Sequence, residues 1–211
     1  MGRAVQEMRA DRLAMEFNSQ AAQSLQALPG IGQRTAERLA MALLDWDETH
    51  LHELSDRLRT LKSRVTQCTV CGNLAEGAEC RICRNPARDH KIICVVESAR
   101  QIPVIEKCRR FAGLYHVLGG RVSPLDGVEF HDLNVETLFE RIGEHGVTEL
   151  IIATSPDVEG EATATYLGDE TRRRFDIQIN RISLGIPVGS DLTFADSATM
   201  AIAIDSRRPL V

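Results

Sequence analysis

The chain has 211 residues, 43% of them hydrophobic, 26% charged and 4% aromatic, with a formal net charge of −5. This is an ordinary composition for a soluble globular protein of one large domain or two small ones. It offers no membrane-spanning helix, because no apolar run approaches the roughly 18 residues that such a span requires. Charge is unevenly spread: residues 1–91 carry 13 Lys/Arg against 12 Asp/Glu, and residues 92–211 carry 12 against 18. Any surface that faces nucleic acid is therefore expected in the N-terminal part. Met1-Gly2-Arg3-Ala4-Val5-Gln6-Glu7 lacks the apolar core of a signal peptide, so the expected location is cytoplasmic.

Residues 1–12 are polar and read as a frayed or partly helical end. Leu13, Phe17, Ala21, Leu25 and Leu28 then recur at three- and four-residue steps, the apolar face of a helix. Leu28-Pro29-Gly30-Ile31-Gly32-Gln33-Arg34-Thr35-Ala36 interrupts this pattern, and Leu39, Ala40, Leu43 and Leu44 resume it. Proline lacks a backbone donor and glycine permits positive φ, so the interruption predicts two helices joined by a tight hairpin. Free N–H groups of the hairpin and of the second helix make an anion site. The stretch looks like a helix-hairpin-helix motif, a reader of the DNA backbone rather than of its sequence. Gly30 and Gly32 would admit a phosphate to the main chain, and Arg34 and Arg38, four apart on the second helix, would add charge on the same face. The competing reading is an ordinary helical pair with glycine as its stop. After the capping segment Asp45–Thr49, Leu51, Leu54, Leu58, Leu61 and Val65 mark another amphipathic helix.

That helix leads into Cys68-Thr69-Val70-Cys71, eight residues, and Cys80-Arg81-Ile82-Cys83. Two Cys-x-x-Cys pairs at this separation suit one tetrahedral zinc ion, each pair biting the metal from a tight turn. A four-thiolate site is closed, hence structural rather than catalytic, and it belongs in a reducing compartment. Four unrelated thiols, or two redox pairs, are the alternatives; a redox pair sits between a strand and a helix, a context not repeated twice here. The neighbouring Arg81, Arg84 and Arg88 read as a solvated edge rather than a phosphate-facing one. Cys94, in an apolar strand, and Cys108, in a helical pattern, read as buried small hydrophobes.

From Lys91 the pattern changes to alternating strands and helices. Strands are predicted at Ile92–Val96, Tyr115–Leu118, Leu150–Thr154 and near Ile177–Ile182, with helices over Val104–Arg110, Val135–Glu144 and Glu161–Arg173. The fold class is α/β, a parallel-rich sheet, and α+β when the helical N-terminal part is included. Sites in such sheets lie at the carboxyl ends of strands, where Glu97 and the run Asp157-Val158-Glu159-Gly160-Glu161 fall. This arrangement resembles the Mg²⁺-binding acids of the Toprim domain of topoisomerases, primases and some nucleases, whose hard oxygen ligands hold the ion beside substrate phosphates. Glu159 and Glu161 equally suit the first turn of a helix, where the dipole favours negative charge. A catalytic set is missing. Tyr115 and Tyr166 occupy packed positions, and His90 and His116 read as structural, so no enzyme is expected. The alternative is a Mg²⁺-dependent nuclease or phosphotransferase built on Glu97, Asp157 and Glu159.

Helix-hairpin-helix, four-cysteine module and Toprim-like domain, in that order, resemble the RecR family of bacterial recombination mediators from about Leu13 to the C-terminus. The motifs that carry the resemblance are Leu28-Pro29-Gly30-Ile31-Gly32, the four cysteines, and Tyr115-His116-Val117-Leu118-Gly119-Gly120-x-x-Ser123-Pro124-Leu125-Asp126-Gly127. Val158-Glu159-Gly160-Glu161-Ala162-Thr163 and Arg181-Ile182-x-x-Gly185-Ile186-Pro187-Val188-Gly189 complete them. The resemblance implies a non-catalytic accessory of DNA repair that acts with RecO, and in many bacteria RecF, to load RecA onto gapped single-stranded DNA. It implies homo-oligomers, dimers or tetrameric rings that clamp DNA. It also makes Arg34 and Arg38 DNA-facing, and Glu97 and Glu159 part of an acidic face that meets RecO. The expected organisation is a helix-hairpin-helix region over 1–66, a zinc module over 67–88, a Toprim-like domain over 89–186, and a C-terminal segment over 187–211 contacting a ring neighbour or the N-terminal domain. Three features depart from the family pattern: a longer polar N-terminus, Asp157 where an uncharged residue is usual, and a basic end at Arg207-Arg208-Pro209.

Overall fold

A computed structural model describes residues 20–183, 186, 189–205 and 207. The predicted helical positions Leu13 and Phe17 and the end at Arg208-Pro209 lie outside the described residues. Contacts divide the chain into two units, between Ser63 and Arg64.

In the first unit, helix α1 runs over 20–26, α2 over Gln33–Leu44 and α3 over Glu48–Arg64. Its core is small: Ala22, Ala36 and Ala40 are buried, with Leu25 and Ile31 packed against them. Alanines at these positions let the helix backbones approach closely, while Leu58 and Leu61 on α3 stay exposed. The hairpin forms as its composition dictates. Gly30 takes φ +81, the left-handed region open to glycine, and the Ile31 N–H closes the turn on the Leu28 carbonyl at 3.2 Å. Asp47 accepts the His50 N–H at 2.9 Å and so starts α3.

The second unit begins with a two-residue ribbon, β1 (Thr66–Gln67) against β2 (Leu74–Ala75), antiparallel. A four-stranded sheet follows, built from β3 (Asp89–Val96), β4 (Gly113–Val117), β5 (Glu149–Ala153) and β6 (Gln178–Arg181) in the order β4-β3-β5-β6. All its pairings are parallel. The central strand β3 carries the continuous run Ile93-Cys94-Val95-Val96, each at most 2% exposed, because a parallel strand is covered on both faces. One face packs on α5 (Glu136–His145) and α6 (Val158–Arg174) through Leu138, Phe139, Ile142, Ala164 and Leu167. The other packs Val96, Tyr115 and Val117 on Ile102 and Ile105 of α4 (Ile102–Lys107) and on Ile82 of the cysteine module.

Helix ends follow local chemistry. Gly146 ends α5 in the left-handed conformation at φ +61. Helix α4 begins two residues earlier than its apolar spacing predicts, with Pro103 in its first turn, and stops before Arg109, whose φ of +53 is not helical. Helix α6 starts at Val158 rather than Glu161, since Asp157 accepts the Gly160 N–H at 2.8 Å. Gly160 is obligatory: a Cβ there would meet the Ser155 carbonyl oxygen at 2.1 Å. A final helix, α7 (Ser197–Asp205), completes the described residues but one. The expectation that Cys94 is buried holds; Cys108, at the end of α4, is exposed instead.

Candidate nucleic-acid interface, zinc module and acidic cluster

The hairpin of the first unit presents the open end of α2. Gly32 is its N-cap and offers no side-chain bond, and the first helical hydrogen bond is made by the Ala36 N–H to the Gly32 carbonyl at 3.0 Å. The N–H groups of Gln33, Arg34 and Thr35 are thus left without an intrahelical acceptor. No acidic residue occupies this first turn. Among the described residues, a Cβ added at Gly30 or Gly32 would meet nothing within 4 Å, so the surface over both glycines is open to them. Gly32 has φ −80, which any residue adopts, so no backbone strain demands glycine there. Arg34 and Arg38 are exposed and form no ion pair among the described residues. Positive helix end, bare main chain and two free guanidiniums together suit a phosphate.

The four cysteines converge in the second unit. Their sulphurs all lie within 4.8 Å of one another, and Cys71 Sγ is 3.7 Å from Cys80 Sγ. A tetrahedral site with Zn–S bonds of ~2.3 Å needs sulphurs roughly 3.8 Å apart, so the set fits the ion. The Cys80 N–H points to Cys68 Sγ at 3.3 Å and the Cys83 N–H to Cys80 Sγ at 3.5 Å, main-chain donors that stabilise thiolate charge. A hydrogen bond from Cys83, with others from its neighbours, pulls the Cys71 thiol down to about 6, while burial pushes Cys80 up. Binding a metal ion requires the thiols to give up their protons. Among the described residues this is the group of three or more metal-type ligands gathered closely enough to hold an ion.

The acidic residues meet at the carboxyl end of the sheet, but each is already engaged. Glu97, just past β3, accepts the Ser155 N–H at 2.6 Å and the Ser155 hydroxyl at 2.9 Å, tying the ends of β3 and β5 together. Asp157 caps α6 and is paired with Arg121. The Gly160 N–H, helped by Arg121, holds its carboxyl below the usual carboxylate range. Glu159 lies 2.7 Å from Arg121 Nε and 2.5 Å from the Ser123 hydroxyl. Glu161 bonds Arg181 at 2.6 Å, and Arg181 is anchored in turn by Thr154 Oγ1 at 2.8 Å. Sequence reasoning counted the acids and passed over Arg121, the first unspecified position after Gly119-Gly120. It also read Arg88 as solvated, whereas Arg88 is only 14% exposed and binds Glu106 together with the Phe111 and Gly113 carbonyls. Tyr115 is buried and donates to Glu106 at 2.6 Å, with burial pushing its phenol well up, and Tyr166 is stacked on Phe130. Neither is placed as a nucleophile.

Comparisons with known proteins agree with this division. A family model for the RecR helix-hairpin-helix matches residues 19–62, and one for the RecR four-cysteine zinc finger domain matches 65–85. A Toprim domain model matches 91–183, and one for the RecR C-terminal region matches 185–208. A helix-hairpin-helix, a four-cysteine zinc finger and a Toprim domain in one chain define a class of DNA recombination and repair proteins. Recombination protein RecR of Thermobifida fusca is 47% identical over 87% of this chain and 92% of its own. That of Desulforapulum autotrophicum is 47% identical over 88% and 92%, and that of Natranaerobius thermophilus 43% over 89% and 94%. The chain belongs to the RecR family. Membership makes it a recombination protein and not a phosphotransferase, and the Toprim match is by itself no sign of catalysis.

Proposed function

We propose that this chain is a non-catalytic, cytoplasmic DNA clamp that mediates recombinational repair, acting with RecO, and with RecF as a further partner, to load RecA onto gapped or single-stranded DNA. The observation that carries this reading is the N-terminus of α2, with Gly30 and Gly32 open to 4 Å and Arg34 and Arg38 in no ion pair among the described residues. Such a surface binds any DNA backbone and reads no base. Zinc, one per chain, is structural. The C-terminal segment 187–211 contacts a neighbouring subunit or the N-terminal region in a dimer or tetrameric ring.

Glu97, Asp157, Glu159 and Glu161 form the face that receives RecO. Four carboxylates against two guanidiniums leave it net negative, and Asp157 and Glu161 keep about half of their side chains exposed (48% and 52%). Mg²⁺ at the same acids would have to displace Arg121 from Asp157 and Glu159 and Ser155 from Glu97, which favours a basic protein surface over the ion. Native mass measurement with and without DNA, with zinc quantified in the same sample, tests the reading. A closed oligomer that gains DNA and holds one zinc per chain is expected; a monomer that ignores DNA overturns it.

A further inference from the structure

Strand β4 is an edge strand, and its outward groups need partners. Leu118 N–H bonds Val96 of β3, so the main chain of Gly113, Tyr115 and Val117 faces away from the sheet. The Gly113 carbonyl accepts from Arg88 at 3.3 Å and the Tyr115 carbonyl from Arg141 at 2.9 Å. The Val117 N–H donates to the Cys71 carbonyl at 2.8 Å, and the Val117 carbonyl accepts from Asn134 at 3.3 Å. The cysteine module therefore lies along this edge. A Cβ on Gly72 would touch the Val117 oxygen at 3.1 Å.

Arg141, on α5, is 6% exposed. Besides Tyr115 it donates to His116 Nδ1 at 3.1 Å, and its Nε is buried without a partner among the described residues. His116 Nε2 lies 2.6 Å from the Asn134 carbonyl. With Nδ1 accepting from Arg141, the proton is assigned to Nε2 and the ring is neutral. Every group that hydrogen-bonds this guanidinium is thus uncharged, and a buried charge with no counter-charge is costly. Burial pulls the Arg141 pKa below the usual guanidinium value, and the charges that push it back up are those of the cysteines, Cys83 first, then Cys71, Cys68 and Cys80. Four thiolates on one Zn²⁺ carry a net charge of −2, and the ion itself does not cancel it.

We propose that Arg141 is the built-in counter-charge of the zinc–tetrathiolate centre, a positioning residue on the Toprim sheet that sets how tightly the neighbouring module holds its metal. The inference rests on zinc occupying the four cysteines. Its test uses the full chain, zinc quantified per chain, and competition by a chromophoric chelator. Arg141→Gln, which keeps a donor for the Tyr115 carbonyl but no charge, should weaken zinc retention by about ten-fold or more, and Arg141→Lys by only a few-fold. In a Cys68→His background, where the site carries −1, the Arg141→Gln effect should shrink to a small part of that. Equal losses in Gln and Lys, or an undiminished effect in the Cys68→His background, would make Arg141 a packing residue and overturn the proposal. For the unaltered chain, the Arg141 Nε–H nuclear resonance should shift when chelator removes zinc, and an unmoved resonance counts against it. A parent chain that purifies without zinc overturns the metal assignment itself, a result distinguishable from either of these.

Discussion

His116 shows how much a single side chain here depends on neutrality. Burial, with Arg141 alongside, lowers its pKa from 6.5 to about 4 even though the Asn134 carbonyl works the other way. Between those values the unfolded chain binds a proton that the folded one does not, so stability falls as pH drops from about 6.5 towards 4 and levels off below. The full loss is about 3 kcal/mol, of which somewhat under half is gone by pH 5.5. Urea unfolding at pH 7.5 and 5.5 checks this against His116→Gln, whose amide can make both hydrogen bonds without titrating. The parent should lose the extra stability and the variant should not; parallel losses would rule the histidine out. The histidine was legible in the sequence as structural, but its partner was not. Arg88 read as solvated, and nothing in one dimension gave Arg121, Arg141 or Arg181 a partner, because the acceptors stand 18 to 36 residues away.

At the scale of elements, the hairpin and the cysteine turns were plain in the sequence because each is closed by neighbours in the chain. Pro29-Gly30 needs a turn, and Cys-x-x-Cys needs a tight loop, whatever surrounds them. The strands were equally legible from apolar runs, but their order β4-β3-β5-β6 was not, since register depends on contacts that the periodicity does not carry. The two hairpin glycines separate fold from function. Gly30 is required by its φ of +81, whereas Gly32, at φ −80 with nothing within 4 Å, is not required by the fold. Gly32→Ala should therefore cost less than about 1 kcal/mol of stability, an N-cap effect. It should weaken DNA binding several-fold, because the methyl would stand where the proposed function brings a phosphate. Thermal melts and filter binding on one preparation would measure both, and unaltered binding would move the phosphate elsewhere.

Across the whole molecule the chemistry is divided by sign. Among the described residues, the first unit carries an open helix end with arginines in no ion pair, and the second carries acids held in place by arginines of its own. On the proposed function the first would grip DNA of any sequence and the second would meet a protein partner, and neither requires turnover. The central claim is that DNA is held through its phosphates by the α2 hairpin. Its most direct test is the salt dependence of DNA affinity, compared between the parent and the Arg34→Ala/Arg38→Ala variant. Each phosphate contact contributes about 0.9 to the slope of log K against log salt on duplex DNA. The variant should bind more weakly to every sequence tried, with a slope shallower by about two. An unchanged slope and affinity would place the DNA on some other surface and contradict the account.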